Sequence, residues 1–311
     1  MAGEFDRIAR YFAPLSGPEG LGLRDDAALL TPPPGVQLVL TVDQMLESVH
    51  FLPGDDPALI ARKLLRRNLS DLAAMGAAPL GYLLTTALPV QTPESWLARF
   101  AEGLATDQAR YGISLMGGDS SSSKAGIALS ITAIGAVPQG AALTRAGARA
   151  GDEIWVTGTI GDAILGLKAR LGEWTDQDGT LTSRSLLPTP RLGLALHGLA
   201  HACIDISDGL VQDLGHIAKA SGLAATIQAA AIPTSPEAAR FGDAALPERL
   251  TGGDDYELLL AVPPGHDAAL RAACGAVPVT RIGQFTAGQG VRVLGGDGAD
   301  LPLPRTGWAH F

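Results

Sequence analysis

The chain has little of what would place it outside the soluble globular class. Of 311 residues only two are cysteine, Cys203 and Cys274, far apart and without a Cys-x-x-Cys pair. No disulfide framework is expected, and both thiols read as reduced and buried in a cytoplasmic protein. The six histidines never fall at His-x-His or His-Glu-x-x-His spacing, which argues against a zinc site. Only four lysines are present, none in a Gly-x-x-x-x-Gly-Lys-Ser/Thr run, so a P-loop is excluded. Protein-kinase signatures are absent as well. No apolar stretch is long and clean enough to span a membrane, and Met1 to Asp6 does not have the form of a signal peptide. Basic charge is also scarce: the net charge is -9, which argues against a general nucleic-acid binder. No period of 20–50 residues marks a solenoid.

What is present is a composition of 46% hydrophobic and 18% charged residues, enough chain for a large core and two domains. Strand-like and helix-like stretches mix in both halves, which predicts α/β or α+β domains. The Gly-, Ala- and Arg-rich stretch Gln139 to Gly151 predicts a linker between residues 1–138 and 150–311. In the first half, Glu4 to Phe12, Asp55 to Met75 and Pro93 to Tyr111 read as helices. Gln37 to Val42, Tyr82 to Leu88, Ile113 to Met116 and Ile127 to Val137 read as strands. In the second half, Glu153 to Thr157, Ala202 to Ile206, Ala225 to Gln228, Tyr256 to Val262 and Val279 to Gln284 read as strands. Helices are expected after Gly161, over Leu192 to Ala200, over Leu210 to Ala220 and over His266 to Cys274. Residues 172–189 read as a long connection, and Val291 to Phe311 as a hairpin with an irregular tail.

The chemistry lies in aspartates. Leu65, Leu69, Leu72 and Met75 make one apolar helical stripe, and Asp71 sits beside it, either solvated or recruited to a site. Asp43, Asp119 and Asp205 each read as delivered by the end of an apolar strand. Asp208 follows three residues after Asp205, and Asp25 and Asp26 lie in a loop. Two like charges about 4 Å apart cost about 4 kcal/mol near a protein surface, so convergent carboxylates need cations. Oxygen-only ligands suit Mg²⁺, and Mg²⁺ held by few carboxylates keeps positions open for phosphate oxygens. The pattern therefore points to a polyphosphate ligand. Gly117-Gly118 could bring backbone N–H groups to a phosphate, and Ser207-Asp208-Gly209 opens a helix as an anion or metal station or as an ordinary N-cap. His50 and Trp308 are candidates for an organic substrate, or a structural histidine and a residue packing the tail.

Taken together, the motifs resemble the thiamine-monophosphate kinase family of the aminoimidazole ribonucleotide synthetase-like superfamily. The matching runs are Gly22 to Ala28, Thr41-Val42-Asp43 with His50-Phe51, Asn68 to Ala77, Gly117-Gly118-Asp119, Leu143-Thr144-Arg145, Asp205 to Leu210 and Gly252 to Leu258. They occur in order over essentially the whole chain. The resemblance implies a transferase that passes the γ-phosphate of ATP in line to thiamine monophosphate, the last step of thiamine diphosphate biosynthesis, in the cytoplasm. It implies a homodimer in which the N-terminal sheets join into a barrel, and a C-terminal α/β domain that completes the active-site cleft. By position, Asp26, Thr41, Val42 through its carbonyl, Asp43, Asp71, Asp119, Asp205 and Asp208 would hold several Mg²⁺ ions. Tyr111, Gly118, Asp119, Arg145 and Ser207 would hold ATP, and His50, Asp254 and Trp308 would line the substrate pocket. Asp43, Asp71, Asp119, Arg145 and Asp208 would act in catalysis. Arg24, Val42 and Asp254 stand where that family commonly has Gly, Thr and Glu. Selenophosphate synthetase and hydrogenase-maturation chemistry are disfavoured, since the cysteines they need have no counterpart. Aminoimidazole ribonucleotide synthetase and a non-catalytic binding protein remain as the alternatives.

Overall fold

The computed structural model describes residues 4–308; residues 1–3 and the last three residues of the expected tail lie outside the described residues. The chain divides into two compact units. Unit 1 comprises Met1–Leu72 and Ala77–Gly140, and unit 2 comprises Ala73–Gly76 and Ala141–Phe311.

Unit 1 runs α1 (Glu4–Arg7), β1 (Val36–Leu46), α2 (Pro57–Ala74), β2 (Ala78–Pro89), α3 (Glu94–Tyr111), β3 (Ser114–Ser123) and β4 (Ala128–Pro138). The sheet order is β1-β4-β2-β3, with β2 and β3 parallel and the other pairs antiparallel. α2 begins where the Asp56 carboxylate accepts the N–H of Ala58 at 3.0 Å. Of the predicted stripe, Leu65, Leu69 and Leu72 are fully buried, while Met75 is half-buried and lies just past the end of the helix. α3 buries Phe100 and Leu104, and its Gln108 amide donates to the Tyr82 hydroxyl of β2 at 3.0 Å. A buried ion pair joins the two helices: Arg66 donates to Asp107 at 2.6 Å and 3.0 Å.

Cross-strand register sorts the side chains of this sheet into two faces. The rows Thr41–Ala133–Tyr82–Leu115 and Asp43–Ile131–Leu84–Gly118 face the helices. The rows Val42–Thr132–Leu83–Gly117 and Gln44–Ser130–Thr85–Asp119 face the other way. That second face is open in the single chain, with Leu40 and Val42 both 64% exposed.

Unit 2 runs β5 (Glu153–Thr157), α4 (Asp162–Arg170), α5 (Thr180–Leu186), β6 (Ala202–Asp205), α6 (Leu210–Ser221), β7 (Leu223–Gln228), α7 (Pro236–Ala239), α8 (Leu246–Thr251), β8 (Leu258–Val262), α9 (Asp267–Cys274), β9 (Val279–Ala287) and β10 (Gly290–Leu294). Its six strands lie in the order β10-β7-β9-β5-β8-β6. One core cluster packs Ile154, Val156, Leu214, Ile217 and Phe285; another gathers Trp155, Cys203, Leu258, Leu260 and Leu270. Both cysteines are free and buried, as expected.

Two expectations are corrected here. The connection over 172–189 contains α5, whose Leu181 is buried in a small cluster; Trp174 and Phe241, edge to face at 4.6 Å, flank that cluster. A short, weakly periodic stretch became helical through tertiary packing. Leu192 to Ala200 is not a helix but two turns at Gly193 and Gly198. The short helices α7 and α8 were not anticipated. The tail does begin with a short hairpin, in which Leu294 bridges antiparallel to Asp300 and the Leu301 N–H donates to the Val293 carbonyl at 2.8 Å; its first strand, β10, also pairs parallel to β7, which the sequence did not show.

Candidate active site

The first group of site residues is built by β1 and α2. Asn68 and Asp71, one helical turn apart, both reach the edge strand β1. The Thr41 hydroxyl donates to Asp71 Oδ2 at 2.5 Å, and the Asp43 N–H donates to Asn68 Oδ1 at 3.1 Å. Arg67 approaches Asp43 Oδ1 at 3.5 Å, and the Ser130 hydroxyl donates to the Asp43 carbonyl at 3.0 Å. Asp71 is thus engaged on β1 rather than solvated. Arg67 went unnoticed in the sequence, and its position beside Asn68 in a matching run was the one available signal.

A second group lines a cavity of about 670 Å³ in unit 1, bounded by Asp25, Asp26, Thr85, Met116, Gly118 and Asp119 among others. That volume lies within the usual range for small-molecule sites, roughly 300–1,000 Å³. The expectation that Asp43 and Asp119 end their strands is corrected. Both lie inside strands, because β1 runs on to Leu46 and β3 absorbs the serine run to Ser123. The register places them on opposite faces of the sheet, so in the single chain they belong to different groups. Gly117-Gly118 likewise is strand rather than turn. A Cβ at Gly118 would stand 1.8 Å from the Leu84 carbonyl oxygen, so glycine there is required by the neighbouring strand. At the end of α3, the Tyr111 ring lies under Arg66 and Arg110, each 5.4 Å from its centroid. Its buried hydroxyl finds no hydrogen-bond partner among the described residues. Such an orphaned group costs about 1–3 kcal/mol, which a ligand could recover.

The third group is in unit 2. Asp205 is the buried last residue of β6, and Ser207-Asp208-Gly209 turns the chain into α6. Asp213, in the first turn of α6, organises that turn: its Oδ2 accepts the N–H groups of Ser207, Asp208 and Gly209, each at 3.1 Å. Burial, with the Asp208 charge beside it, pushes the Asp213 carboxyl up to about 7 against the pull of those donors. Asp254 lies against the same turn. Its N–H donates to the Ser207 carbonyl at 2.9 Å, and its Oδ1 accepts from the Tyr256 hydroxyl at 3.0 Å. Both Asp254 and Tyr256 hold positive φ, 71° and 53°, a local strain of the kind kept at functional sites. Trp308 joins them through its N–H, which donates to the Asp208 carbonyl at 2.9 Å. Ser207, Asp208, Asp254 and Trp308 are therefore brought together. Asp213 was missed; an aspartate in a helix first turn behind Ser-Asp-Gly was the signal for it.

The other predicted residues have surroundings of their own. His50 lies in the turn after β1, where its Nδ1 accepts the Leu46 N–H at 3.0 Å, leaving the proton on Nε2. Arg145 is exposed in the irregular stretch after β4. Next to Asp254, the buried Asp255 accepts the N–H groups of Gly161 and Ala163. Glu257 is buried between Arg184 and Arg191.

The donor set suits a hard cation. Asp26, Thr41, Asp43, Asp71, Asp119, Asp205 and Asp208 offer only oxygen, and no thiolate or imidazole belongs to the proposed ligands. Among the described residues, Asp208, Asp213 and His216 also place ligand atoms within 4.8 Å of one another, though one Asp213 oxygen is already committed to the three N–H groups.

Comparison with known proteins decides the family. Residues 24–137 match the family described as AIR synthase related protein, N-terminal domain, and residues 149–296 match its C-terminal domain. The thiamine-monophosphate kinase of Caulobacter vibrioides is 44% identical over 320 residues, covering 99% of this chain and 90% of that protein. The chain belongs to the thiamine-monophosphate kinase family. The crystal structure of the thiamine-monophosphate kinase from Stenotrophomonas maltophilia superposes with a TM-score of 0.83 at 40% identity, over 93% of this chain and 94% of that one. A structure of AaThiL complexed with AMPPCP and TMP superposes with a TM-score of 0.79 at 32% identity, over 99% and 97%. The two-domain mixed α/β fold of the thiamine-monophosphate kinase family is thus the fold of this chain.

Proposed function

We propose that the three groups of residues serve the reaction of the family, the phosphorylation of thiamine monophosphate by ATP. The chain is a thiamine-phosphate kinase; the roles of its residues and ions are our reading. The observation that carries it is the convergence of Asp254 and Trp308 on the Ser207–Asp208 turn within a chain matched end to end by the family.

The cavity beside Gly118 and Asp119 has the size and mixed apolar and acidic lining that a nucleotide needs; Tyr111 is not among the residues that line it. Ser207 and Arg145 complete the ATP contacts in this reading. Asp26 and Asp119 form one ligand group for Mg²⁺; Thr41, Asp43, Asp71 and the Val42 carbonyl form another; Asp205 and Asp208 form a third. Bound there, Mg²⁺ would neutralise charge on the phosphate oxygens. The acceptor phosphate is already an anionic nucleophile, so the residues have little proton transfer to perform. Their work is to align it with the γ-phosphate for direct in-line attack and to balance charge through Arg145. His50, with Nε2–H as donor, Asp254 and Trp308 orient the thiamine moiety.

A second copy of the chain covers the open face of the unit 1 sheet in this reading, since Leu38, Leu40, Val42 and Leu83 stand exposed on it. The two free buried thiols accord with a cytoplasmic setting, and among the described residues no helix is long and apolar enough to cross a membrane. The test is a discontinuous assay with ATP, Mg²⁺ and thiamine monophosphate. Equal formation of thiamine diphosphate and ADP, lost on adding EDTA and restored by Mg²⁺, is expected. Turnover that persists without divalent ions would overturn the metal assignment.

A further inference from the structure

Trp308 is 47% exposed, so burial alone does not place it. What holds its main chain is a clasp with α6. The Trp308 N–H donates to the Asp208 carbonyl at 2.9 Å. The Gln212 amide nitrogen donates to the Trp308 carbonyl at 2.8 Å and to Asp208 Oδ2 at 3.1 Å. A primary amide has two N–H donors, and here one goes to each acceptor. The approach is close as well as bonded. A Cβ on Gly307 would stand 2.5 Å from Gln212 Cβ and 2.9 Å from the Asp208 carbonyl oxygen, so a side chain there would push the tail off the helix. Upstream, Leu301 and Leu303 pack on the core of unit 2, while the stretch from Leu301 to Trp308 has no helix or strand of its own.

We propose that Gln212 is a positioning residue. It sets where Trp308 stands against the Ser207–Asp208 turn, and through Trp308 it sets the affinity for thiamine monophosphate. This rests on the reading that Trp308 lines the substrate pocket. Glutamine suits the role by charge as well as reach. Glutamate at the position could not donate and would repel Asp208.

The test compares Gln212→Met, Gly307→Val, Trp308→Ala and the double variant Gln212→Met/Trp308→Ala in steady-state assays, with melting temperatures recorded alongside. Gln212→Met keeps the length and removes both donors. Gly307→Val leaves Gln212 intact and displaces the tail. Each is expected to raise KM for thiamine monophosphate about tenfold, the usual consequence of losing one or two hydrogen bonds. In Gly307→Val, which leaves the Gln212–Asp208 bond in place, KM for ATP and kcat should stay within about twofold, the signature of a binding rather than a chemical defect. The double variant should match Trp308→Ala, since Gln212 acts through the tryptophan. If Trp308→Ala raises KM while Gln212→Met and Gly307→Val leave it unchanged, the clasp is overturned and the assignment of Trp308 stands. If Trp308→Ala itself has the wild-type KM, the assignment of Trp308 fails and the clasp fails with it. An equal rise of both KM values in Gln212→Met and Gly307→Val would show a general disturbance of the turn and would also overturn the proposal.

Discussion

Thr41 donates its hydroxyl to Asp71 at 2.5 Å, tying the edge strand of the first sheet to the helix that carries the site's most informative sequence run. An asparagine at 71 could still accept that hydroxyl through its carbonyl oxygen, but it would lose the charge. Asp71→Asn should therefore lower kcat on the order of a hundredfold or more, with stability to urea within about 1 kcal/mol of wild type. Wild-type turnover in the variant would leave Asp71 with a structural role only.

Asp107 and Arg66 make the opposite kind of pair, deep and structural. The Asp107 side chain is fully buried between Arg66 and Arg62. Removing one partner of such a pair strands the other charge, at a cost of about 3–5 kcal/mol. Asp107→Ala should show that loss in urea unfolding. It should also weaken ATP binding in calorimetry, because Arg66 lies over the Tyr111 ring.

Asp255 gives a pH dependence with a definite sign. Burial holds its carboxyl well above its ordinary 3.8, despite the N–H groups of Gly161 and Ala163. A carboxyl whose folded pKa is raised binds its proton better in the fold. That contribution is full below the unfolded pKa and is lost as pH rises through the folded one. Asparagine cannot titrate. The Tm deficit of Asp255→Asn relative to wild type should therefore shrink as the pH of the thermal scans is raised above the range of an unfolded carboxyl. A deficit that grows with pH would contradict the sign.

Leu40 tests the proposed dimer. It is 64% exposed beside Val42 on the face turned away from α2 and α3. Leu40→Asp should shift the mass measured by light scattering from two chains to one, while the circular dichroism spectrum is retained. A wild-type protein that already runs as a monomer would remove the basis for a second copy on that face.

The sequence was most legible where one element owns its pattern. The stripe through Leu65, Leu69 and Leu72 marked α2 because a single buried helix face carries it. Cys203 and Cys274 were recognisable as buried thiols from their isolation alone. The site aspartates could be listed but not arranged. Nothing local to Asp43 or Asp119 says that they face opposite sides of one sheet, since that depends on the register of β4 between β1 and β2. Gly118 looked like a phosphate cradle because its actual constraint, the Leu84 carbonyl, comes from a strand more than thirty residues away. The role of Asp213 was hidden for a different reason: its partners are backbone N–H groups, which every sequence has and none displays.

The strand order of unit 2 carries a consequence for synthesis on the ribosome. β5, β6 and β7 never pair with one another; every ladder in that sheet involves β8, β9 or β10. Three strands therefore emerge and wait unpartnered until the chain passes Leu258, whereas the sheet of unit 1 has all its partners once Pro138 is made. Vectorial translation thus separates the two units in time. The later one passes through a window of exposed strand edges in which chaperones would find their target.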